Sequence, residues 1–441
     1  MSEDVVVPRR TVKEISSVNG NLLVNEATVK AGNPDRLIIV SGDTICRGDC
    51  TFEGNLKTFS FNVNDGNLEV NGNLIVEKRI QVKNGKLKVT GNVFSSGIEV
   101  EKSARILGDL KTEETQVGGT LSVQGIGYSE SVSVGGTFES ASFEFNKISV
   151  GSNYKAYGPL KGKKISVGGT FKVEDMAEVE EIDVGGTINV QGNVSSNQMN
   201  AGGTIKISGG DIKGQINAGG TIHSNGYLNF DRLKAGGSIT VEGGSGGDID
   251  VGGSFVSHGN LKFKNIDVGG TVKINGNGEG HGIDVGGTVK VRGNLTLSNS
   301  INVGGTIKVD ENLNAKSVKA GGKIQASKIE ASDEIATHIL RTRYGAKANR
   351  IDIGKKGEVE GPLIAEKVFL RVKVEAEDIY AKDVIIKRDC RVNNVYANNI
   401  KIESGCIMSG EVHYKESLNA NSNVQFRVNP EKIEKLLDPP F

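Results

Sequence analysis

The chain has 441 residues, with 53 basic and 53 acidic side chains and a formal net charge of zero. Neutrality excludes binding to nucleic acid or anionic membrane by overall charge, because neutralising many phosphates usually requires a strong basic excess. The 61 glycines come with only seven prolines and no Gly-X-Y period, which excludes collagen and proline-rich linkers. Glycine must instead serve ordered turns.

Residues 1–19 are predicted to be an N-terminal tail. Their apolar run Val5–Val7 is too short for the apolar region of a signal peptide, and no later stretch approaches 18 consecutive apolar residues. We therefore expect a cytoplasmic protein.

Residues 20–116 carry apolar pairs at i and i+2, such as Ile98 and Val100, at irregular spacing. Such pairs point two side chains to the same side of a short strand, so this segment is predicted to form irregular β-helix turns. Cys46 and Cys50 lie here in the sequence CRGDC. No histidine or second cysteine pair is near them, so we predict no metal site.

The tetrapeptide Val-Gly-Gly-Thr or a close variant recurs over residues 117–323 every 16, 17 or 18 residues. Each unit contains three apolar pairs at i and i+2, which suits three strands with two inward residues each. The period is too short for WD40, leucine-rich or helical repeats. The first glycine of each corner is Gly118, Gly135, Gly151, Gly168, Gly185, Gly202, Gly219, Gly236, Gly252, Gly269, Gly286, Gly304 and Gly321.

This period predicts an all-β fold, a single-stranded parallel β-helix (β-solenoid) with three strands per turn of about 17 residues. Corners that alternate between two and three residues favour a right-handed coil. The paired glycines are expected at corners that require positive φ. About two dozen such turns predict a long, thin rod.

Asp250, Asp267 and Asp284 occupy the same outward position in three successive repeats, which places their carboxylates about 5 Å apart. Carboxylates at that separation serve in retaining glycosidases, and they also suit Ca²⁺. The alternative is a polar ladder of short side chains beside a tight corner. No aromatic residue or arginine accompanies the aspartates, which favours the polar ladder.

The outward position of the first strand carries lysine in half of the repeats: Lys155, Lys172, Lys206, Lys273, Lys290 and Lys308. This lysine stripe suits an anionic polymer or lipid headgroups. The alternative is a solvated face that discourages lateral aggregation.

Residues 324–428 continue the pattern irregularly, and the segment 336–350 is predicted to be a bulging corner. Gly357–Leu370 (GEVEGPLIAEKVFL), Asp378–Ile386 (DIYAKDVII) and Val395–Ile402 (VYANNIKI) resemble the bactofilin family of polymer-forming cytoskeletal proteins, and Ala104–Leu110 is similar. The resemblance implies a right-handed β-helix that polymerises end to end without nucleotide. It further implies a scaffolding role and, in some members, membrane association.

Residues 429–441 are predicted to form a short capping helix or tail, because Pro430 follows the cap residue Asn429 and Ile433, Leu436 and Leu437 have helical spacing. A helix over the last turn would cover an open strand edge and limit polymer growth.

Catalytic motifs are lacking. The five histidines are isolated, and no Walker, Rossmann or Gly-x-Ser-x-Gly motif occurs. We expect no cofactor, no resident metal and no enzymatic activity. The sequence favours a structural scaffold that binds itself or other structural proteins, with no specific nucleic acid partner. The alternative is a β-helix that binds or cleaves polysaccharide through Asp250, Asp267 and Asp284.

Overall fold

The computed structural model describes residues 3–440, and this part of the chain contains strands and turns but no helix. The fold is a parallel β-solenoid of about 25 turns, which confirms the predicted class, the three strands per turn and the repeat of about 17 residues. The described residues divide into two compact units, 3–225 and 226–440. The boundary lies within the regular Val-Gly-Gly-Thr segment.

The strands of the first unit are short because each turn must bend three times within about 17 residues. In chain order they are Val5–Val7, Val12–Ile15, Ser17–Val18, Leu22–Asn25, Thr28–Ala31, Leu37–Val40, Asp43–Arg47, Cys50–Glu53, Asn55–Thr58, Ser60–Asn64, Leu68–Val70, Leu74–Val76, Arg79–Val82, Lys86–Val89, Val93–Phe94, Gly97–Val100, Ser103–Ile106, Leu110–Val117, Thr120–Val123, Gly127–Val134, Thr137–Ser140, Phe143–Val150, Asn153–Ala156, Leu160–Val167, Thr170–Val173, Ala177–Val184, Thr187–Val190, Val194–Ala201, Thr204–Ile207 and Gly210–Ala218.

The strand Thr221–Ala235 contains the boundary between the units. The strands of the second unit then follow in chain order: Ser238–Val251, Ser254–Ser257, Leu261–Lys262, Asn265–Val268, Thr271–Ile274, Gly278–Gly280, Gly282–Val285, Thr288–Val291, Leu295–Leu297, Ser300–Val303, Thr306–Val309, Asn312–Ala320, Lys323–Glu360, Leu363–Leu370, Glu375–Ala376, Ile379–Ile386, Arg391–Val392, Val395–Ile402, Ile407–Met408, Val412–Ala420, Gln425–Phe426 and Glu431–Lys432.

One turn of the second unit defines the three faces of the solenoid. Thr288–Val291 lies on the first face, Leu295–Leu297 on the second and Ser300–Val303 on the third. Each strand pairs in parallel with its equivalents one turn before and one turn after, as Thr271 does with Thr288 and Thr288 with Thr306. Inward side chains are fully buried and stack on one another, so the core is a column of aliphatic ladders.

The first unit has the same three faces. In one of its turns the first, second and third faces are formed by Lys86–Val89, Val93–Phe94 and Gly97–Val100. In several later turns the second and third strands join into one continuous strand of eight residues, as in Ala177–Val184. Burial alternates within each half of this strand and shifts by one residue at Glu180 and Glu181, where the chain turns from the second face to the third.

The predicted N-terminal tail is wrong. Val5–Val7 pairs in parallel with Leu22–Val24, and Val12–Ile15 pairs with Thr28–Ala31, so these residues form a full turn of the solenoid. The segment lacks the Gly-Gly corner, but Val7, Ile15 and Val18 still reach the core. A backbone ladder is available to them on one side, and pairing with it satisfies their polar groups.

The predicted C-terminal capping helix is also wrong. Residues 429–440 contain no helix, and Glu431–Lys432 instead pairs in parallel with His413–Tyr414. The Ile433 amide donates to the Tyr414 carbonyl at 2.9 Å. Starting a helix of two turns costs nucleation free energy, whereas a strand only extends a ladder that already exists.

One further local prediction fails, because residues 336–350 belong to the long strand Lys323–Glu360 and not to a bulge. Two glycine-rich stretches also contribute to the ladders: Gly243–Gly247 lies in the strand Ser238–Val251, and Gly278–Gly280 pairs with Leu295–Leu297. At Gly280 a Cβ atom would lie 2.2 Å from the Phe263 ring of the preceding turn. Glycine is needed there because the neighbouring phenylalanine fills the space.

Candidate interaction surfaces

The predicted corner glycines lie where the chain passes from the third face to the first. At these corners, a Cβ atom added to the first glycine would lie 2.0–2.4 Å from a carbonyl oxygen of the preceding turn. This holds for Gly118, Gly135, Gly151, Gly168, Gly185, Gly202, Gly219, Gly252, Gly269, Gly286, Gly304 and Gly321. None of these glycines has positive φ, so the expected reason for them is wrong. Close stacking of identical corners demands glycine, not an unusual backbone angle.

The aspartate ladder of Asp250, Asp267 and Asp284 is in register on the third face of the second unit. All three side chains are exposed, and Asp250 forms an ion pair with Lys234 at 3.6 Å. No group of three or more His, Cys, Asp or Glu residues suited to a metal ion occurs within residues 3–440. The structure therefore places the three predicted carboxylates in one exposed row. Among the described residues, no set of side chains suited to a metal ion surrounds them.

In the first unit the lysine stripe consists of Lys155, Lys172 and Lys206 on the first face. Lys155 and Lys172 stack in register, and both form ion pairs with Glu174, at 3.1 and 3.3 Å. The Lys155 ammonium donates hydrogen bonds to the Tyr157 hydroxyl and to the Glu174 carboxylate, and these bonds raise the pKa of that lysine. Asn189 separates Lys172 from Lys206, so the stripe is interrupted and partly neutralised.

In the second unit Lys273, Lys290 and Lys308 stack without interruption on the first face. Lys308 forms an ion pair with Asp310 at 3.3 Å. Lys273 and Lys290 have no ion pair to any residue of the described chain. This half of the stripe is therefore the more basic one.

All four cysteines are buried and free. Cys390 and Cys406 occupy equivalent positions one turn apart, because the residues that follow them, Arg391 and Ile407, are paired. Their thiols donate hydrogen bonds to the carbonyls of Arg371 and Lys387, both at 3.0 Å. The interaction between the two neighbouring sulfur atoms raises the pKa of Cys390 and lowers that of Cys406. Core packing is the role that this burial supports.

Sequence reasoning missed an asparagine ladder at the corner between the first and second faces. In the second unit the side-chain oxygens of Asn260, Asn277 and Asn294 each accept a hydrogen bond from the backbone amide of the equivalent residue one turn later, at 2.8–3.2 Å, and the last donor is Asn312. The first unit repeats the arrangement with Asn55, Asn73, Asn92 and Asp109. The recurring Gly-Asn dipeptide is the signal that would have revealed it.

A second missed feature is a groove of about 600 Å³ on the third face of the second unit, which we call the third-face groove. It lies beside apolar and basic side chains that point outward. Its lining side chains include Arg350, Lys367, Phe369, Asp383, Ile385, Asn399, Lys401, Ser417 and Asn419.

Asp352 lies next to this groove, in register with Phe369. Its side chain is 10% exposed and binds Arg371 through two hydrogen bonds, at 3.0 and 3.1 Å, and Arg350 through one at 3.2 Å. Burial raises the pKa of Asp352, but the hydrogen bonds from Arg371 and Arg350 outweigh burial and hold the pKa below its usual value of 3.8. The carboxylate therefore fixes both guanidinium groups beside the groove.

Replacing Asp352 by asparagine is expected to lower the free energy of unfolding at pH 7 by about 1.5 kcal/mol, because charged hydrogen bonds to two arginines are lost. A depressed folded-state pKa stabilises the protein above pH 3.8. The difference from the wild type should narrow as the pH falls through 3.8 and vanish below the folded-state pKa. Urea unfolding between pH 7 and 2.5 measures this.

The control for that experiment is Asp250→Asn on the exposed aspartate ladder, which should change stability by less than about 0.5 kcal/mol. A difference between wild type and Asp352→Asn that stays constant down to pH 2.5 would contradict the electrostatic explanation.

Comparison with known proteins gives no relative for this chain: no protein-family model, curated protein or solved structure matches it. Within residues 3–440 no helix has the length and apolar character that crossing a membrane requires.

Proposed function

We propose that this protein is a non-enzymatic scaffold, similar in design to the bactofilins, that self-associates through the strand edges of its first and last described turns. The observation that carries the proposal is the one-sided pairing of these strands. Gln425–Phe426 and Glu431–Lys432 pair only with the preceding turn among the described residues. Val5–Val7 and Val12–Ile15 likewise pair only with the following turn.

The two edges are complementary. Val5–Val7 exposes the backbone groups that would pair with a preceding turn, and Glu431–Lys432 exposes those that would pair with a following turn. A second copy can therefore continue the ladder by β-strand addition. Apolar side chains accompany both edges: Val6 and Val12 are 52% and 63% exposed at one edge, and Phe426 and Ile433 are half-buried at the other. A head-to-tail contact of this type does not close on itself and produces filaments.

Electron microscopy of the purified full chain by negative staining tests the proposal. The wild type should form filaments longer than one molecule, and Val6→Lys combined with Val12→Lys should abolish them, because lysines on an edge strand block pairing. Ile126→Lys is the matched control. Ile126 is 68% exposed, but it lies at a corner between the first and second faces and not on an edge strand. A wild type that stays a uniform single particle at high concentration would refute the proposal.

A further inference from the structure

The third-face groove lies between two rows of outward side chains in the second unit. One row runs through Phe369, Ile385, Lys401 and Asn419 in successive turns. The other row runs through Lys367, Asp383, Asn399 and Ser417. Because neighbouring turns are about 4.8 Å apart, the groove crosses four turns over roughly 15 Å. A channel along the ladder direction suits a linear chain better than a compact molecule.

The apolar side chains of the groove are not needed by the core. The core ladders use the inward neighbours Val368 and Val384, both 1% exposed, while Ile385 points outward with 37% of its surface exposed. Earlier turns of the same unit place Asp267, Asp284 and Asn302 at the position that Phe369 and Ile385 occupy here. Two apolar residues in successive turns of a solvent-facing polar row indicate a surface that meets an apolar partner.

The charges of the groove favour an anion. Three cationic side chains, Arg350, Lys367 and Lys401, line the groove against one carboxylate, Asp383. Asp383 and the adjacent Glu416 accept hydrogen bonds from the Asn399 amide, both at 3.1 Å, while Asp352 binds two arginines and Glu403 forms an ion pair with Lys387 at 2.6 Å. Lys367 and Lys401 have no ion pair within the described chain. They line the groove two turns apart, one in each row, so they can bind two negative charges of one extended ligand.

Polar and cationic groups complete the surface. The Ser417 hydroxyl donates to the Asn399 side-chain oxygen at 2.7 Å, which orders the groups at one end of the groove. Arg371 and Lys387 approach the Phe369 ring at 5.5 and 5.7 Å, which adds positive charge beside the apolar residues. Amide and hydroxyl groups next to an aromatic ring suit a ligand that has both hydroxyl groups and apolar ring faces.

We propose that the third-face groove binds a linear acidic polysaccharide, one whose sugars carry carboxylate groups. Sugar ring faces pack on Phe369 and Ile385, carboxylates bind Lys367 and Lys401, and hydroxyls bind the Asn419 amide and donate to the Ser417 oxygen. A second protein is a poorer fit, since a groove roughly 15 Å long offers much less surface than the ~800 Å² that each partner of a stable protein complex buries. This activity goes beyond the proposed scaffolding function and uses residues other than the aspartate ladder.

Affinity electrophoresis of the full chain in native gels tests the inference, with polygalacturonate as the acidic polysaccharide. Neutral dextran and duplex DNA serve as comparison polymers. The wild type should be retarded by polygalacturonate, more weakly at high salt, and should migrate freely with dextran. Lys367→Glu combined with Lys401→Glu should weaken retardation about tenfold, and Phe369→Ala combined with Ile385→Ser by a similar factor.

Lys273→Glu combined with Lys290→Glu is the matched control, because it makes the same charge change on the lysine stripe of the first face. This variant should keep its affinity for polygalacturonate. Absence of retardation in the wild type, equal loss in the control, or retardation by duplex DNA as strong as by polygalacturonate would each overturn the inference. Filament formation by the Lys367→Glu/Lys401→Glu variant, scored by electron microscopy, separates this result from the test of scaffolding.

Discussion

Replacing Gly304 by alanine is expected to cost about 3 kcal/mol of stability, although only one methyl group is added. A Cβ atom at this position would lie 2.2 Å from the Gly286 carbonyl oxygen of the preceding turn. The Gly304 amide donates to the Val285 carbonyl at 2.9 Å, so the corner cannot move away without breaking the ladder. The clash is with backbone, which cannot rotate aside as a side chain can.

Gly282→Ala is the matched control in the same unit. Its added Cβ atom would find its nearest neighbour, the side-chain oxygen of Asn265, at 3.3 Å, so a small adjustment accommodates it. Urea unfolding followed by circular dichroism should show a lower midpoint for Gly304→Ala and a nearly unchanged one for Gly282→Ala. Equal midpoints for the two variants would show that the corners are not closely stacked.

The periodic part of the fold was predictable because each turn repeats the same physical problem. The pairs Val289/Val291 and Ile301/Val303 recur at one spacing, and side-chain alternation in a strand then dictates which residues are inward. The structure confirms all four of these residues as buried. The glycine corners could be placed from the sequence, but their reason could not, because a contact between turns is invisible in a single repeat.

The predictions failed where local pattern and neighbouring turns disagree. Asn429 to Leu437 has the cap, the proline and the apolar spacing of a helix, yet pairing of Glu431 with His413 makes it extend the ladder. Val5–Val7 carries no corner motif, but it lies against Leu22–Val24. In both segments the backbone partner is about 17 residues away, so local propensity is overridden by a nonlocal ladder.

The third-face groove was hidden for a different reason. In the sequences Lys367-Val-Phe-Leu370 and Asp383-Val-Ile-Ile386 the apolar residues are consecutive, so the inward and outward ones cannot be told apart by composition. Only the register of the ladder shows that Phe369 and Ile385 point outward in the same row.

Replacing Tyr154 by alanine is expected to cost the first unit about 4 kcal/mol, because a large buried ring leaves a cavity that the solenoid cannot close. Tyr154 is 1% exposed and stacks on Phe138 with ring centroids 4.5 Å apart and planes within 5°. Phe171 lies in the next turn, and its ring centroid is 5.5 Å from that of Tyr154. Turns fixed at the spacing of the backbone ladder cannot move together to fill the space.

Tyr154→Phe separates the contribution of the ring from that of the hydroxyl. The hydroxyl lies 3.1 Å from the Ser140 hydroxyl, and removing it should cost about 1 kcal/mol, since one buried hydrogen bond is lost while the ring packing is kept. Met176→Ala, at a side chain 54% exposed in the same unit, should change stability by less than about 0.5 kcal/mol. Urea unfolding of the three variants measures the order. If Tyr154→Ala unfolds at the same urea concentration as Met176→Ala, the aromatic column does not stabilise the turns, and the free energy of this unit comes from its backbone ladders and aliphatic core.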